Sequence, residues 1–373
     1  MKEMVNPRYL RHSLIDWFSQ TDLKQTSLIV IGAGAIGNEI VKNLCLLGIG
    51  WIHIIDCDII EIHNLTRTVL FNESNIGRYK SEVAAEVCRE LNPDTKITFS
   101  TQKFWNSIKI DDLKNFDAVF CCVDNFEARF RLNKLCIIAR KDFFNSAIDS
   151  RFITIEQYPY SREIDCACYE CNMPPSVYNN VRQRYSCGWL KKRAFEEKKI
   201  PTTIITSSIA AAGITSLFLQ KKHPNRLVGS LKCFIDSISM TSSVSELHRD
   251  ESCITCSSIL NERYHFLIKR HSSFDFMHVV SSGDDPIIYF SEQVILDVFC
   301  KSCGKRHKIN DIAEKYDDSL IFCEECRKKS NDIIFVDQMK FSDLLERFGS
   351  DMLPIKYLSF NHKQKQFILE LED

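Results

Sequence analysis

The residues able to do chemistry in this chain fall into two sets: a glycine turn with carboxylates downstream of it, and four Cys-x-x-Cys pairs. The first set begins where the apolar run Leu28-Ile29-Val30-Ile31 meets Gly32-Ala33-Gly34-Ala35-Ile36-Gly37. Glycines at this spacing allow a tight turn, a close approach of backbone to a phosphate, and close packing of the following helix, whose first N–H groups face an anion. Asp56 ends a second apolar run, Trp51 to Ile55, about 20 residues past the last glycine, where a carboxylate takes ribose hydroxyls. A third run, Asp117 to Cys122, leads straight into Asp124, just past the carboxyl end of a buried strand, where parallel sheets bind ligands. The same residue is placed to cap a helix over Phe126 to Ala139.

Seventeen cysteines among 373 residues, with no signal-peptide core after Met1-Lys2-Glu3, point to metal sites or reactive thiols and away from a disulfide framework. Cys300-Lys301-Ser302-Cys303 and Cys323-Glu324-Glu325-Cys326 have 19 residues between them, the spacing of a zinc ribbon. Cys168-Tyr169-Glu170-Cys171 and Cys253-Ile254-Thr255-Cys256 lie too far apart for spacing alone to join them. Cys45, Cys88, Cys121, Cys122, Cys136 and Cys233 fall in apolar patterns and read as small buried hydrophobes. Cys187 sits among Arg182, Arg184, Lys191, Lys192 and Arg193, cations that favour a nucleophilic thiolate. It is either a nucleophile or an inert loop cysteine.

These groups need a scaffold of alternating strands and helices. Ile40, Val41, Leu44 and Leu47 share one helical face after the glycine turn, Glu82 to Leu91 reads as a helix ended by Asn92-Pro93, and Lys96 to Ser100 as a strand. The alternation predicts a Rossmann-like, doubly wound, mostly parallel α/β sheet. Further on, Ile204 to Gln220 reads as a buried helix and Leu231 to Ile235 as a strand. With 45% hydrophobic and 26% charged residues the chain builds an ordinary core, and a net charge of -1 from 48 basic and 49 acidic residues gives no pointer to nucleic acid or an anionic membrane as a bulk partner, so any anion binding is expected to be local. No run of about 18 apolar residues is present, so a soluble, cytoplasmic protein is expected.

The segment Asp56-Cys57-Asp58-Ile59-Ile60-Glu61-Ile62-His63-Asn64-Leu65-Thr66-Arg67, followed past Ile76-Gly77-Arg78-Tyr79 by Lys80, resembles the signature of the ThiF/MoeB family, which includes the activating enzymes for ubiquitin and ubiquitin-like proteins. In that family an aspartate closes the second strand, Asn-Leu-x-Arg follows, and Gly-x-x-Lys opens the next helix. Cys122-Val123-Asp124-Asn125, with Arg129 and Asn133 beyond it, matches the setting of the family's magnesium-linked aspartate. Tyr9-Leu10-Arg11 matches an element whose arginine crosses a dimer interface to the partner's nucleotide. One position departs: Thr68 stands where the family usually has glutamine.

The resemblance implies ATP-dependent adenylation of the C-terminal carboxylate of a small ubiquitin-like sulfur carrier or modifier ending in Gly-Gly, or of a peptide. It implies that Gly32, Gly34 and Gly37 admit the nucleotide, that Asp56 holds the ribose, and that Asn64, Arg67, Lys80 and Arg11 of a second copy neutralise phosphate charge. Asp124 would position Mg2+, and the protein would be a homodimer. It further implies one structural Zn2+ held by Cys168, Cys171, Cys253 and Cys256, pinning a crossover loop on which Cys187 receives the activated carboxyl in some members. Two other classes remain open. A nicotinamide-dependent oxidoreductase would leave Arg67, Lys80 and the cysteine pairs unexplained, and a non-catalytic subunit of a heterodimer would keep the fold without every ATP-handling residue.

The resemblance covers residues 1–259, expected as the adenylation domain. The polar turn Ser281-Ser282-Gly283-Asp284-Asp285-Pro286 marks 260–290 as a linker region, and 291–373 as a zinc-ribbon-like β unit. In that unit Val294 to Phe299 and Asp332 to Val336 would support Cys300, Cys303, Cys323 and Cys326, with a final strand near Phe367 to Leu371.

Overall fold

The computed structural model describes residues 6–372 except 18, 163–164, 175, 178–200, 221–222, 224–227, 254, 258, 260–261, 317–319, 321, 329 and 350–352. They form two compact units, one within Met1–Asn172 and Lys199–Cys256, the other with its strands and helices in Ser257–Asp373. Among the described residues no helix is long and apolar enough to cross a membrane.

In the first unit the elements run α1 (Gln20–Gln25), β1 (Ser27–Ile31), α2 (Ala35–Leu47), β2 (Trp51–Ile55), α3 (Lys80–Leu91), β3 (Lys96–Ser100), α4 (Phe104–Ser107), α5 (Ile110–Leu113), β4 (Ala118–Cys121), α6 (Phe126–Ala139), β5 (Asp142–Ile148), β6 (Phe152–Tyr158), α7 (Ile204–Leu219), β7 (Leu231–Asp236) and β8 (Thr241–Glu246). The sheet order is β3-β2-β1-β4-β5-β6-β7-β8. The first five strands are parallel, and β6, β7 and β8 extend them antiparallel. β4, and β1 from Leu28 onward, are unbroken apolar runs buried along their whole length, as central parallel strands are. Strand order reverses between them, which opens a crevice at their carboxyl ends. The expected doubly wound sheet is therefore found.

Helix α2 spans the height of this layer. It starts at Gly34 and ends at Gly48, whose φ of +78° is a left-handed cap that glycine adopts without a Cβ penalty. Tyr9 packs on that cap so closely that a Cβ on Gly48 would stand 2.6 Å from its ring. Ala210, Ala211 and Ile214 of α7 join Val41 and Leu44 of α2 in the same core, and Gly213 lets α7 lie on Ile155.

The second unit contains β9 (Arg263–Lys269), α8 (Ser273–Ser281), β10 (Ile287–Cys300), β11 (Arg306–Ile312), β12 (Asn331–Lys340), α9 (Phe341–Phe348), β13 (Tyr357–His362) and β14 (Lys365–Glu372). Its sheet runs β11-β10-β13-β14-β9, with β12 also on β10. The expected strands over 294–299, 332–336 and 367–371 lie inside β10, β12 and β14. The linker expected over 260–290 is not a linker. β9 pairs in parallel with β14, and Met277 of α8 is fully buried with Ile288, Leu344 and Leu369. The polar turn at 281–286 is a helix-to-strand turn inside the unit, where Ser282 and Gly283 take φ of +53° and +89°. Burial of the apolar face of α8 outweighs the local turn signal.

Candidate functional site

The three turn glycines do different work. Gly32 has φ +95°, and a Cβ there would stand 2.7 Å from the Cys122 carbonyl oxygen. At Gly37 it would stand 1.8 Å from the Gly32 carbonyl oxygen. Both are demanded by packing. Around Gly34 nothing lies within 4 Å of such a Cβ, so the turn is open there, at the N-terminus of α2. Gly32 also brings the β1 turn against Cys122 and Val123, which precede Asp124.

Asp56 is the junction of this crevice. Its Oδ2 accepts the Ala33 N–H at 2.6 Å, its Oδ1 accepts the Asp58 N–H at 2.8 Å, and its carbonyl accepts the Ser81 hydroxyl at 2.8 Å. Burial pushes its carboxyl above the ordinary carboxylate value, while the nearby Lys80 charge pulls the other way. Lys80 opens α3, and its Nζ lies 2.8 Å from Asp58 Oδ2. Main-chain bonds hold the two together: Lys80 N–H to Asp58 O at 2.9 Å, Ile60 N–H to Arg78 O at 2.9 Å, and Gly77 N–H to Ile60 O at 2.9 Å. Between these arms, Asn64 is buried with its Oδ1 on the Glu61 N–H at 2.9 Å, and Arg67 Nη1 donates to the His63 carbonyl at 2.8 Å. Thr68, the departing position, is buried and donates to the Asn64 carbonyl at 2.9 Å, so the loop closes on itself there.

Asp124 is exposed just past β4, and it is not the helix cap. Asn125 takes that place, its Oδ1 accepting the Ala128 N–H at 2.8 Å, which leaves the Asp124 carboxylate clear of the helix end. Arg129 is buried and donates to the Val123 carbonyl at 2.5 Å, Asn145 Oδ1 at 2.6 Å and the Ser146 carbonyl at 3.0 Å. It is a clamp on the β4–α6 turn.

Arg11 is not brought to this crevice. Two residues earlier, the Tyr9 hydroxyl accepts from Asn92 Nδ2 at 2.8 Å and its ring rests on Gly48, at the far end of α2 from Gly34. A helix of that length spans about 20 Å. Cys187 and its basic neighbours lie outside the described residues.

The cysteine pairs close into two clusters. Cys168 and Cys253 sulfurs are 3.6 Å apart, Cys168 and Cys171 3.7 Å, and Cys171 and Cys256 3.4 Å, none of them on an exposed residue. Four thiolates around a tetrahedral zinc stand about 3.8 Å apart, so this set fits the ion. In the second unit Cys300 and Cys326 are 3.6 Å apart and Cys303 and Cys323 3.6 Å, with Cys303 exposed. The two turns of that cluster repeat each other: Gly304 N–H donates to the Cys300 carbonyl at 2.8 Å and Arg327 N–H to the Cys323 carbonyl at 2.8 Å, both with left-handed φ. Ser330 Oγ lies 3.0 Å from Cys300 Sγ, and this contact, with the main-chain N–H groups of Cys303 and Ser302 and the Cys303 side chain, pulls the Cys300 thiol down to about 6. A thiolate at neutral pH is what a metal needs.

Asp58, Ser81 and the burial of Arg129 were not singled out by residue pattern. The Asp-x-Asp spacing at 56 and 58 is the signal that carries Asp58.

A five-strand parallel core in the order 3-2-1-4-5, an open glycine turn at the reversal and a carboxylate at the end of β2 define a Rossmann-like α/β protein with cysteine clusters suited to zinc. The profile of the ThiF family matches residues 8–255, and the chain belongs to that family. It is 30% identical over 172 residues to adenylyltransferase and sulfurtransferase MOCS3-1 of Zea mays, covering 45% of this chain and 36% of that protein. To ubiquitin-like modifier-activating enzyme 5 of Aedes aegypti it is 31% identical over 194 residues, covering 49% and 47%. The chain thus spans about half or less of these curated relatives. The crystal structure of E. coli MccB with ATP shares the fold, with TM-score 0.55 at 24% identity over 67% of this chain and 74% of that one.

Proposed function

We propose that this protein is an ATP-dependent adenylyltransferase that activates the C-terminal carboxylate of a ubiquitin-like or sulfur-carrier protein, or of a peptide. The observation that carries the reading is the single crevice formed by the open turn at Gly34, the N–H-anchored Asp56 and the Lys80 ammonium. A carboxylate is a poor electrophile. When its oxygen attacks the α-phosphorus of ATP, the bond from that phosphorus to the bridging oxygen breaks, pyrophosphate leaves, and an acyl-adenylate forms. The protein's part is positioning and charge stabilisation. Asp56 takes the ribose hydroxyls, the backbone at Gly34 admits the phosphates, and Lys80, Asn64 and Arg67 stabilise their charge. Asp124 would hold Mg2+, which neutralises polyphosphate charge when bound.

Arg11 joins this site only from a second copy, because its own glycine turn lies a helix length away. Leu14, 78% exposed, and Trp17 on the same segment support such an interface. The cysteine cluster of the first unit would hold a structural zinc, its four ligands leaving no open position for chemistry. Transfer of the acyl group to Cys187 is a separate step of the proposal, resting on the sequence.

ATP–pyrophosphate exchange tests the reading. Exchange that depends on an added Gly-Gly carrier or peptide, and is lost in Arg67→Ala and Asp124→Ala, is expected. No exchange with any carrier in the metal-loaded protein would point to a non-catalytic subunit.

A further inference from the structure

Asp58 has no task in the reaction just described, yet it holds the lysine on which the reaction depends. The ammonium of Lys80 is turned inward, its side chain 12% exposed, whereas the Asp58 carboxylate on it is 66% exposed. The carboxylate therefore stands on the solvent side of the cation. Lys80 has another carboxylate in its field, Asp56, whose oxygens accept the N–H groups of Ala33 and Asp58, but the ammonium itself bonds Asp58.

We propose that Asp58 is the exchangeable counter-ion of Lys80: the triphosphate displaces it on arrival and it recaptures the lysine as pyrophosphate departs, so that Asp58 sets polyphosphate affinity and speeds product release. This rests on the adenylation reading above and deepens it. The backbone supports such an exchange. The Lys80 N–H to Asp58 carbonyl bond, the Ile59–Tyr79 bridge and the Asp58 N–H to Asp56 bond hold both Cα positions in place whichever partner the ammonium has. Only side-chain rotamers need change. A phosphate that approaches Lys80 with Asp58 still in place meets like charge at hydrogen-bond range, which disfavours binding. Without the recapturing carboxylate, pyrophosphate leaves a bare cation and leaves slowly.

Asp58→Asn removes the charge and keeps the shape, and none of the main-chain bonds involves its side chain. Calorimetry of the full-length, metal-loaded protein with inorganic pyrophosphate should show binding about fivefold tighter in Asp58→Asn than in wild type. In steady state the variant should have a lower KM for ATP, a lower kcat and stronger inhibition by pyrophosphate. A merely structural role would not produce tighter binding together with slower turnover. Asp58→Glu should restore wild-type behaviour, and in a Lys80→Met background the gain in pyrophosphate affinity from Asp58→Asn should be clearly smaller, since only the repulsion between like charges is then relieved. Pyrophosphate affinity unchanged or weakened in Asp58→Asn, with Tm unchanged, overturns the counter-ion role and leaves the adenylation reading standing. Wild type that binds neither pyrophosphate nor ATP overturns both.

Discussion

Asn133 donates to the carboxylate of Glu170 at 3.0 Å, and this bond ties the helix that starts beside Asp124 to the first cysteine cluster. Glu170 lies between Cys168 and Cys171, and the Asn133 side-chain Oδ1 also takes the Tyr160 hydroxyl at 2.6 Å. Asn133→Leu would strip a buried carboxylate and a buried hydroxyl of this partner. Urea denaturation should show a loss of about 1–3 kcal/mol, with earlier zinc release on titration with a chelator. A loss within about 0.5 kcal/mol would mean that the helix and the cluster are fixed independently.

Asp56 gives a pH dependence with a definite sign. Burial raises its carboxyl above 3.8, so the folded chain holds that proton more tightly than the unfolded one. Between the two values stability falls as pH rises, and the cost is complete above the folded value. Nucleotide affinity runs the other way, because ribose hydroxyls need the carboxylate. ATP affinity measured against pH should collapse at a higher pH than an ordinary aspartate dictates. The acid limb should vanish in Asp56→Asn; a limb at the ordinary value contradicts the burial argument.

Metal content should be two zinc ions per chain by elemental analysis, falling to one in Cys168→Ser and in Cys303→Ser. The second cluster has its Cys303 exposed while no cysteine of the first is exposed, so a chelator should empty the second first. Ser330→Ala should shift loading of the second cluster to higher pH, since the hydroxyl that lowers the Cys300 thiol is gone.

Arg11 acting across a dimer predicts complementation. Arg11→Ala and Asp56→Ala homodimers should each be inactive, while mixed subunits should recover about a quarter of wild-type exchange, because half of the dimers then carry one intact site. No recovery after confirmed subunit exchange removes Arg11 from the site.

If Cys187 accepts the activated carboxyl, Cys187→Ser should leave ATP–pyrophosphate exchange intact and abolish the thioester seen on non-reducing gels with the carrier. Unaltered product formation in that variant assigns the cysteine no role in transfer.

What the sequence made legible was local. The glycine turn, α2 and the carboxylate at the end of β2 follow from constraints acting over a few residues: a positive φ at Gly32, two close backbone approaches, and a change of apolar period from strand to helix. The pairing of Cys168 and Cys171 with Cys253 and Cys256 depends on β7 and β8 returning the chain to the first knuckle, and no spacing encodes that. The choice of Asn125 over Asp124 as cap turns on one residue of helix phase, which periodicity does not resolve. Around 260–290, serines, glycine and proline speak for a loop, whereas Phe266, Phe274 and Met277 acquire their meaning only from the sheet they cover. Asp58 meets Lys80 through a single bridge across a folded loop, a contact without a period.

The position of β14 governs how the second unit is made. It lies between β13 and β9, and its parallel partner β9 is about a hundred residues upstream, so the sheet closes only after the intervening ribbon and helices have been synthesised. Until then β9 presents an unsatisfied edge. Loop closure over that distance makes this pairing a late step in folding, and a ribosome-bound chain stalled before β14 emerges would expose the apolar face that Leu369 and Leu371 later cover. Such a nascent chain would be a substrate for chaperones even while the first unit is already folded.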